Sequence, residues 1–277
     1  MEIVSFRQKY PLYICLKSLK VTRNQYYYWL KKINQPDKDR FFIDKIKELS
    51  EKYPFYGQNR LYQQMRREGY IINHKKLSRI YRELALVLPV KKKKPKKIDS
   101  ATYTKELTEA KHINHVWAGD ILHGKLSDKR KYYVFIAVDI YSRDIVSWAI
   151  GSSMPSQKII ESLNNSFDIF GKPKIFRSDN GSQFRSKITR RFFINERIMQ
   201  EYIEKGKPYE NGFAESLIGK TKEEFFRRHI FDSIDDIIIQ WKEYVEFFNS
   251  ERLHKSLNYK TPKEVRTQSI NSLLINV

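Results

Sequence analysis

Three apolar runs crowd into the stretch between residues 116 and 150, with connections too short to hold a helix. They are Val116–Leu122, Lys131–Asp139 (KYYVFIAVD) and Asp144–Ile150 (DIVSWAI), the last two joined by a turn at Ser142-Arg143. Each is rich in β-branched and aromatic residues, which suits strands, and strands this close in sequence pair as an antiparallel meander. The pattern then changes period. A helix is expected over about 156–170, stopped by Gly171-Lys172-Pro173, with a short strand at Lys174–Arg177. A helix at about 186–195, a strand near Met199–Ile203, a long helix from near Glu210 to about Arg228 and a last helix over about 233–249 complete the series. Hairpins followed by alternating helix and strand predict an α/β domain, a mixed sheet flanked by helices.

The front of the chain reads differently. Residues 5–33 suggest short helices with a helix-turn-helix cadence. One ends near Leu19, Val21 fills the turn, and Thr22 caps a second helix that opens on Arg23 and buries Tyr27 or Trp29. Residues 36–88 form a second helical unit. Phe42, Ile46 and Leu49 share one face, Tyr53-Pro54 breaks that helix, Gly69 ends the next, and Asn73 caps a third. The third presents Lys75, Lys76, Arg79 and Arg82 outward, as phosphate contacts require. The lysine-rich stretch PVKKKKPKKIDS follows, and Lys91, Lys92, Lys93 and Lys94 make it a basic tether rather than a packed segment. Expected boundaries are 1–35, 36–88, 89–112 (linker), 113–265 (catalytic core) and 266–277 (tail).

Charge follows the same division. Residues 1–100 carry 25 Lys and Arg against 9 Asp and Glu, whereas the remainder is nearly balanced, within a total of +21. A basic front half points to nucleic acid as partner. A single cysteine, Cys15, excludes an internal disulfide and a multi-cysteine zinc site. With neither a long apolar span nor a signal-peptide core, the expected location is the cytoplasm.

Three carboxylates stand out against this background. Asp120 is read as ending the first strand, Asp179 follows the fourth strand in FRSDNGSQF, and Glu215 lies in PYENGFAESLIGKTKEE, with 35 residues between it and Asp179. Gathered carboxylates repel one another unless a cation neutralises them, and oxygen donors suit Mg²⁺ or Mn²⁺. Two such ions activate an attacking oxygen and stabilise a leaving one at phosphorus. Lys222, seven residues after Glu215, falls two helical turns along the same face, where it can hold a phosphate. Asp139 is set aside, because its strand runs antiparallel and ends at the other edge. Glu223 and Glu224 are read as surface residues.

The stretches VWAGDIL, VFIAVDIYSRDIVSWAI, RSDNGSQF, GKPYENGFAESLIGKTKEE and FNSERLHKSLNYKTPKEV resemble, in this order, the catalytic subunit of bacterial insertion-sequence transposases. These are second-frame products of two-frame elements in the retroviral-integrase superfamily. YYYWLKK, YGQNRL and INHKKLSRIYRELAL resemble the helical DNA-binding region of the same proteins. The resemblance implies a ribonuclease-H-like fold, a catalytic and metal-binding triad of Asp120, Asp179 and Glu215, and a DNA-positioning Lys222. It further implies double-stranded DNA as substrate (terminal inverted repeats and target), a homo-oligomer on DNA, fusion to an upstream-frame product, and location at the bacterial nucleoid. A non-catalytic DNA-binding regulator, or a domesticated transposase, is the competing expectation. Arg252 and His254 match a C-terminal Arg-x-His signature to which no role is assigned.

Overall fold

The computed structural model describes residues 10–34, 39–86, 107–203 and 218–275. The chain divides into two compact units, Met1–Pro89 and Val90–Val277. Among the described residues no helix is long and apolar enough to cross a membrane.

The first unit is helical. Helices α1 (Leu12–Ser18) and α2 (Arg23–Asn34) are joined by a turn with Lys20 in the left-handed region. Thr22 and Gln25 cap α2 reciprocally. The Gln25 N–H donates to Thr22 Oγ1 at 3.2 Å, and the Thr22 N–H donates to Gln25 Oε1 at 2.9 Å. The aromatic buried from this helix is Tyr26. Tyr27 and Trp29, expected inside, are about half exposed, because the packed face is set one residue earlier. Helices α3 (Arg40–Lys52), α4 (Gln58–Arg67) and α5 (His74–Glu83) enclose Ile46, Leu49, Leu61, Met65, Leu77 and Ile80. Gly69, at φ +86°, ends the second of these, and Asn73 Oδ1 caps the third by accepting from the Lys75 N–H at 2.8 Å.

The second unit is built on a five-stranded sheet. Strands β1 (Val116–Lys125), β2 (Lys131–Asp139) and β3 (Ile145–Gly151) form the expected antiparallel meander. After α6 (Ser156–Phe170), strand β4 (Ile175–Ser178) returns to pair parallel with β1 on its free side. Strand β5 (Met199–Tyr202) then pairs parallel with β4, so the spatial order is β3-β2-β1-β4-β5. Short α7 (Ser182–Arg185) and α8 (Lys187–Asn195) connect β4 to β5.

Helices cover both faces, which is why the strands are nearly continuous apolar runs. Trp117, Phe135, Phe176, Phe184 and Phe193 pack under α6 on one face. Val116, Ala118, Val134 and Ile136 meet Phe225, Phe231, Trp241, Tyr244 and Phe248 on the other. The last three belong to α9 (Ile234–Ser250).

Residues 266–275, within the segment expected as a tail, continue α10 (Pro262–Ile275). Arg266 reaches back to two buried aspartates. Its Nε donates to Asp144 Oδ2 at 2.5 Å, and Nη2 donates to Asp139 Oδ2 at 3.2 Å. Asp139 also accepts from the Asn114, Tyr141 and Ser142 N–H groups, which accounts for an acid at 0% exposure. It is therefore committed to holding the structure together. Truncating Arg266 takes a counter-charge from both carboxylates, and removing one partner of a buried ion pair costs about 3–5 kcal/mol. Arg266→Ala should lower the melting temperature by roughly 10 °C, at about 2–4 °C per kcal/mol for a domain of this size. A calorimetric scan showing no change would contradict this role.

Candidate active site

Asp120 does not end its strand. β1 runs on to Lys125, and Asp120 is its fifth residue. What ends there is the parallel pairing with β4, whose last partners are Gly119 and Ser178. Asp120 and Asp179 are the next residues on their two chains. Neighbouring strands lie about 4.8 Å apart, so two acids at equivalent positions stand side by side. This neighbourhood could not be read from strand ends alone, since it depends on β4 inserting beside β1.

Local chemistry fixes each acid. Alternation along β1 puts Asp120 on the face of Val116 and Ala118, while Gly119 faces the opposite aromatic layer. A Cβ on Gly119 would stand 2.5 Å from the Phe176 ring, so only glycine lets β1 lie against that ring beside the acid. Asp179 leaves β4 into a tight turn. The Gly181 N–H donates to its Oδ1 at 3.0 Å, and Asn180 Nδ2 donates to the Ile203 carbonyl at 2.7 Å. The turn is thereby tied to the end of β5. The Asp179 side is exposed and the Asp120 side half-buried, so the pair straddles the boundary with solvent.

The electrostatics agree. Burial raises the Asp120 carboxyl above the usual aspartate range. The Ile121 N–H opposes this at 2.7 Å, Asp179 repulsion adds to it, and the Lys222 charge reduces it. Lys222 is thus within electrostatic reach of Asp120. Among the described residues no three His, Cys, Asp or Glu side chains gather as a metal centre. Glu215 falls outside the described residues, as do Lys91, Lys92, Lys93 and Lys94.

Lys222 does not sit on a regular helix. Residues 218–221 are α-helical, and Lys222–Phe226 forms a π-helical turn closed by the Arg227 N–H donating to the Lys222 carbonyl at 2.9 Å. Glu223 is a surface residue, paired with Arg227. Glu224 is not. Its side chain is 10% exposed and ion-paired to Arg252 at 2.6 Å. Sequence reading missed this because the partner is 28 residues away.

The basic residues expected to face DNA from the first unit divide into two groups. Lys76 and Arg79 both neutralise Asp39, whose carboxyl they hold below the usual range, and Arg79 also pairs with Glu83 at 3.1 Å. Lys75 and Arg82 are exposed on the same helix. Arg23 is exposed at the start of α2, with its guanidinium 5.8 Å above the Tyr27 ring.

The raised Asp120 carboxyl has a stability consequence. A carboxyl that binds its proton more tightly in the folded state destabilises that state as pH rises through its folded value. In metal-free protein, Asp120→Asn should therefore melt higher than wild type near pH 7. The gain should fade below about pH 4, where the unfolded aspartate is also protonated. An asparagine variant less stable than wild type at neutral pH would show that Asp120 is favourably paired instead.

Comparison with known proteins adds the family. The integrase core domain family matches residues 110–208, a second integrase core family matches 196–262, and a helix-turn-helix-like domain matches 36–94. The chain is similar to InsK of Escherichia coli strain K12, named as a transposase of insertion sequence element IS150. The two are 28% identical over 276 residues, covering 95% of this chain and 96% of that protein. It is also similar to the transposase for insertion sequence element IS904 of Lactococcus lactis, 23% identical over 76% of this chain and 86% of that one. Among solved structures, the simian T-cell lymphotropic virus intasome in complex with a PP2A regulatory subunit shares the fold. That match has a TM-score of 0.51 and 18% identity over 80% of this chain and 74% of that one. A helix-turn-helix-like domain thus precedes an integrase core domain, and over nearly its whole length the chain is similar to insertion-sequence transposases.

Proposed function

We propose that this chain is a DNA transposase that cuts the ends of its insertion element and joins them to new DNA, with Asp120, Asp179 and Glu215 as its catalytic acids. The observation that carries the assignment is the end of the β1–β4 pairing at Gly119 and Ser178, with an aspartate next on each chain. Oxygen-only donors at a solvent boundary, one carboxyl already raised by burial and by its neighbour's charge, fit a hard divalent cation such as Mg²⁺ or Mn²⁺. Asp120 and Asp179 would hold it, with Glu215 as the third donor and two ions as the full complement. When bound, the ions sharpen the attacking oxygen and neutralise charge building at phosphorus.

The chain's own residues do the positioning. In the first step water attacks the phosphodiester at the element end. One P–O bond forms, the other breaks, and a 3′-hydroxyl leaves. The water step leaves a 5′-phosphate monoester on the flanking strand; the freed 3′-hydroxyl then attacks a target phosphodiester, forming one P–O bond and releasing a target 3′-hydroxyl, so this joining step conserves the number of phosphodiester bonds and consumes no nucleotide. Asp120 stays fixed by the Ile121 N–H and Asp179 by the Gly181 N–H, so both oxygens aim at the same edge. Lys222 holds a phosphate of the bound strand there.

The helical front unit positions the terminal inverted repeats, using exposed Arg23, Lys75 and Arg82 together with the lysine tether at 91–94. Lys76 and Arg79 are a weaker part of that surface, because Asp39 already balances them. Domain boundaries at 36–88 and 113–265 accord with this division of labour. Acting on two ends calls for more than one subunit, and a fusion with the upstream-frame product at the nucleoid is part of the same reading.

Asp179→Asn should reduce Mg²⁺-dependent cleavage of end-containing DNA by about 10³-fold or more, the equivalent of ~4 kcal/mol of lost charge stabilisation. Its affinity for that DNA should stay within about twofold of wild type, since phosphate contacts elsewhere dominate binding. Cleavage by the asparagine variant at the wild-type rate would end the assignment.

A further inference from the structure

Arg252 and His254 have no part in the chemistry above, yet they are among the most buried polar residues in the second unit, at 1% and 3% exposure. Arg252 lies just beyond α9. Its guanidinium grips Glu224 with a two-pronged contact, Nε to Oε2 at 2.7 Å and Nη2 to Oε1 at 2.6 Å. Nη1 faces the His254 ring at 3.1 Å, and that ring packs edge-on against Phe248 at 4.9 Å between centroids. Tyr244 Oη donates to Glu224 Oε2 at 3.4 Å. Glu224 is therefore held from several directions.

A buried ion pair is a poor way to gain stability, since apolar residues of like volume often do as well or better. What a bidentate contact adds is a fixed angle, because the planar fork matches the carboxylate in one orientation. The segment so fixed is the π-helical turn. Its first residue is Lys222, and Glu224 follows two residues later. Thr221 is fully buried, with Oγ1 donating to the Ile218 carbonyl at 2.7 Å. Phe225 is wedged between Trp241 at 5.2 Å and Tyr244 at 5.0 Å. Lys222, itself half-buried, is bracketed by three immobilised neighbours. A π-helical turn is rare and occurs mostly as a single turn inside a regular helix, so contacts from outside the turn are what fix its shape.

We infer that Arg252 is a positioning residue. Acting through Glu224, with the His254 ring nitrogens against its Nη1, it locks the turn that aims Lys222 at the Asp120–Asp179 edge, where a DNA phosphate is gripped. This rests on the proposed role of Lys222 in DNA binding.

The test is a double-mutant cycle in the full-length chain, with a duplex taken from the end of its own element. Lys222→Ala, Arg252→Lys, Glu224→Gln and the two doubles with Lys222→Ala are compared. DNA affinity is measured against NaCl concentration, and Mg²⁺-dependent cleavage is measured in parallel. Lys222→Ala should lower the salt slope by about 1, as expected for one lost phosphate contact. Arg252→Lys should do the same, although residue 252 cannot reach DNA, and should slow cleavage by about 10²-fold, as expected for a small misplacement at an active site. With Lys222 already replaced, either clamp mutation should cost less than about a further twofold, because coupled residues are non-additive. Glu224→Gln keeps the side-chain volume and gives the same reading should Arg252→Lys melt below the assay temperature. Losses that multiply, or a clamp variant that keeps the wild-type slope, would overturn the inference. A Lys222→Ala variant with normal slope and rate would instead overturn the DNA-gripping role of Lys222, and with it the reason for the clamp.

Discussion

The parallel pairing of β1 with β4 is the constraint on which the rest of the second unit depends. It brings together two residues 59 positions apart in the chain, and it stops one residue short of both acids. Continuing the ladder by one pair would commit both backbones beside the acids to each other. Stopping it earlier would let the carboxylates drift apart. The stopping point is set by the turn after Ser178, where Asp179 folds back onto the Gly181 N–H and Asn180 ties to Ile203. The same turn opens the short helix that sends Phe184 under the sheet. The aromatic layer and the acid edge are thus two consequences of one strand end.

Charge inside this unit is concentrated at junctions. Arg266 joins α10 to the acids around the β2–β3 turn, and Arg252 joins the end of α9 to the π-helical turn. Arg177 pairs with Glu201 at 2.6 Å across β4 and β5 while donating to the Thr108 carbonyl. Arg177 and Arg252 are buried, the Arg266 side chain is 11% exposed, and each links segments remote in sequence. Apolar packing holds the layers together but tolerates sliding. Forked hydrogen bonds do not, because their angular requirement is steep.

Helix and strand assignments were largely legible in the sequence. The meander, the helix over 156–170 and the caps at Thr22 and Asn73 follow from local periodicity and from side chains that bond their own backbone. Errors arose where a residue's fate depended on a remote partner. Glu224 looked like a surface acid until Arg252 was placed beside it, and Lys76 and Arg79 looked available until Asp39 was seen between them. Tyr26, and not its neighbours in the run of three tyrosines, became the buried ring, because composition cannot choose among identical side chains.

By itself, the sequence determined which residue types recur at which spacing, and so the elements, the basic front half and the candidate acids. These are properties of the local chain, where side-chain preferences and period act over a few residues. The tertiary structure alone decided that β4 inserts beside β1, that Asp120 and Asp179 follow the end of one ladder, and that Arg252 grips a carboxylate 28 positions upstream. Those outcomes come from burying both faces of one sheet at once. That is a condition on the whole unit, and no local segment encodes it.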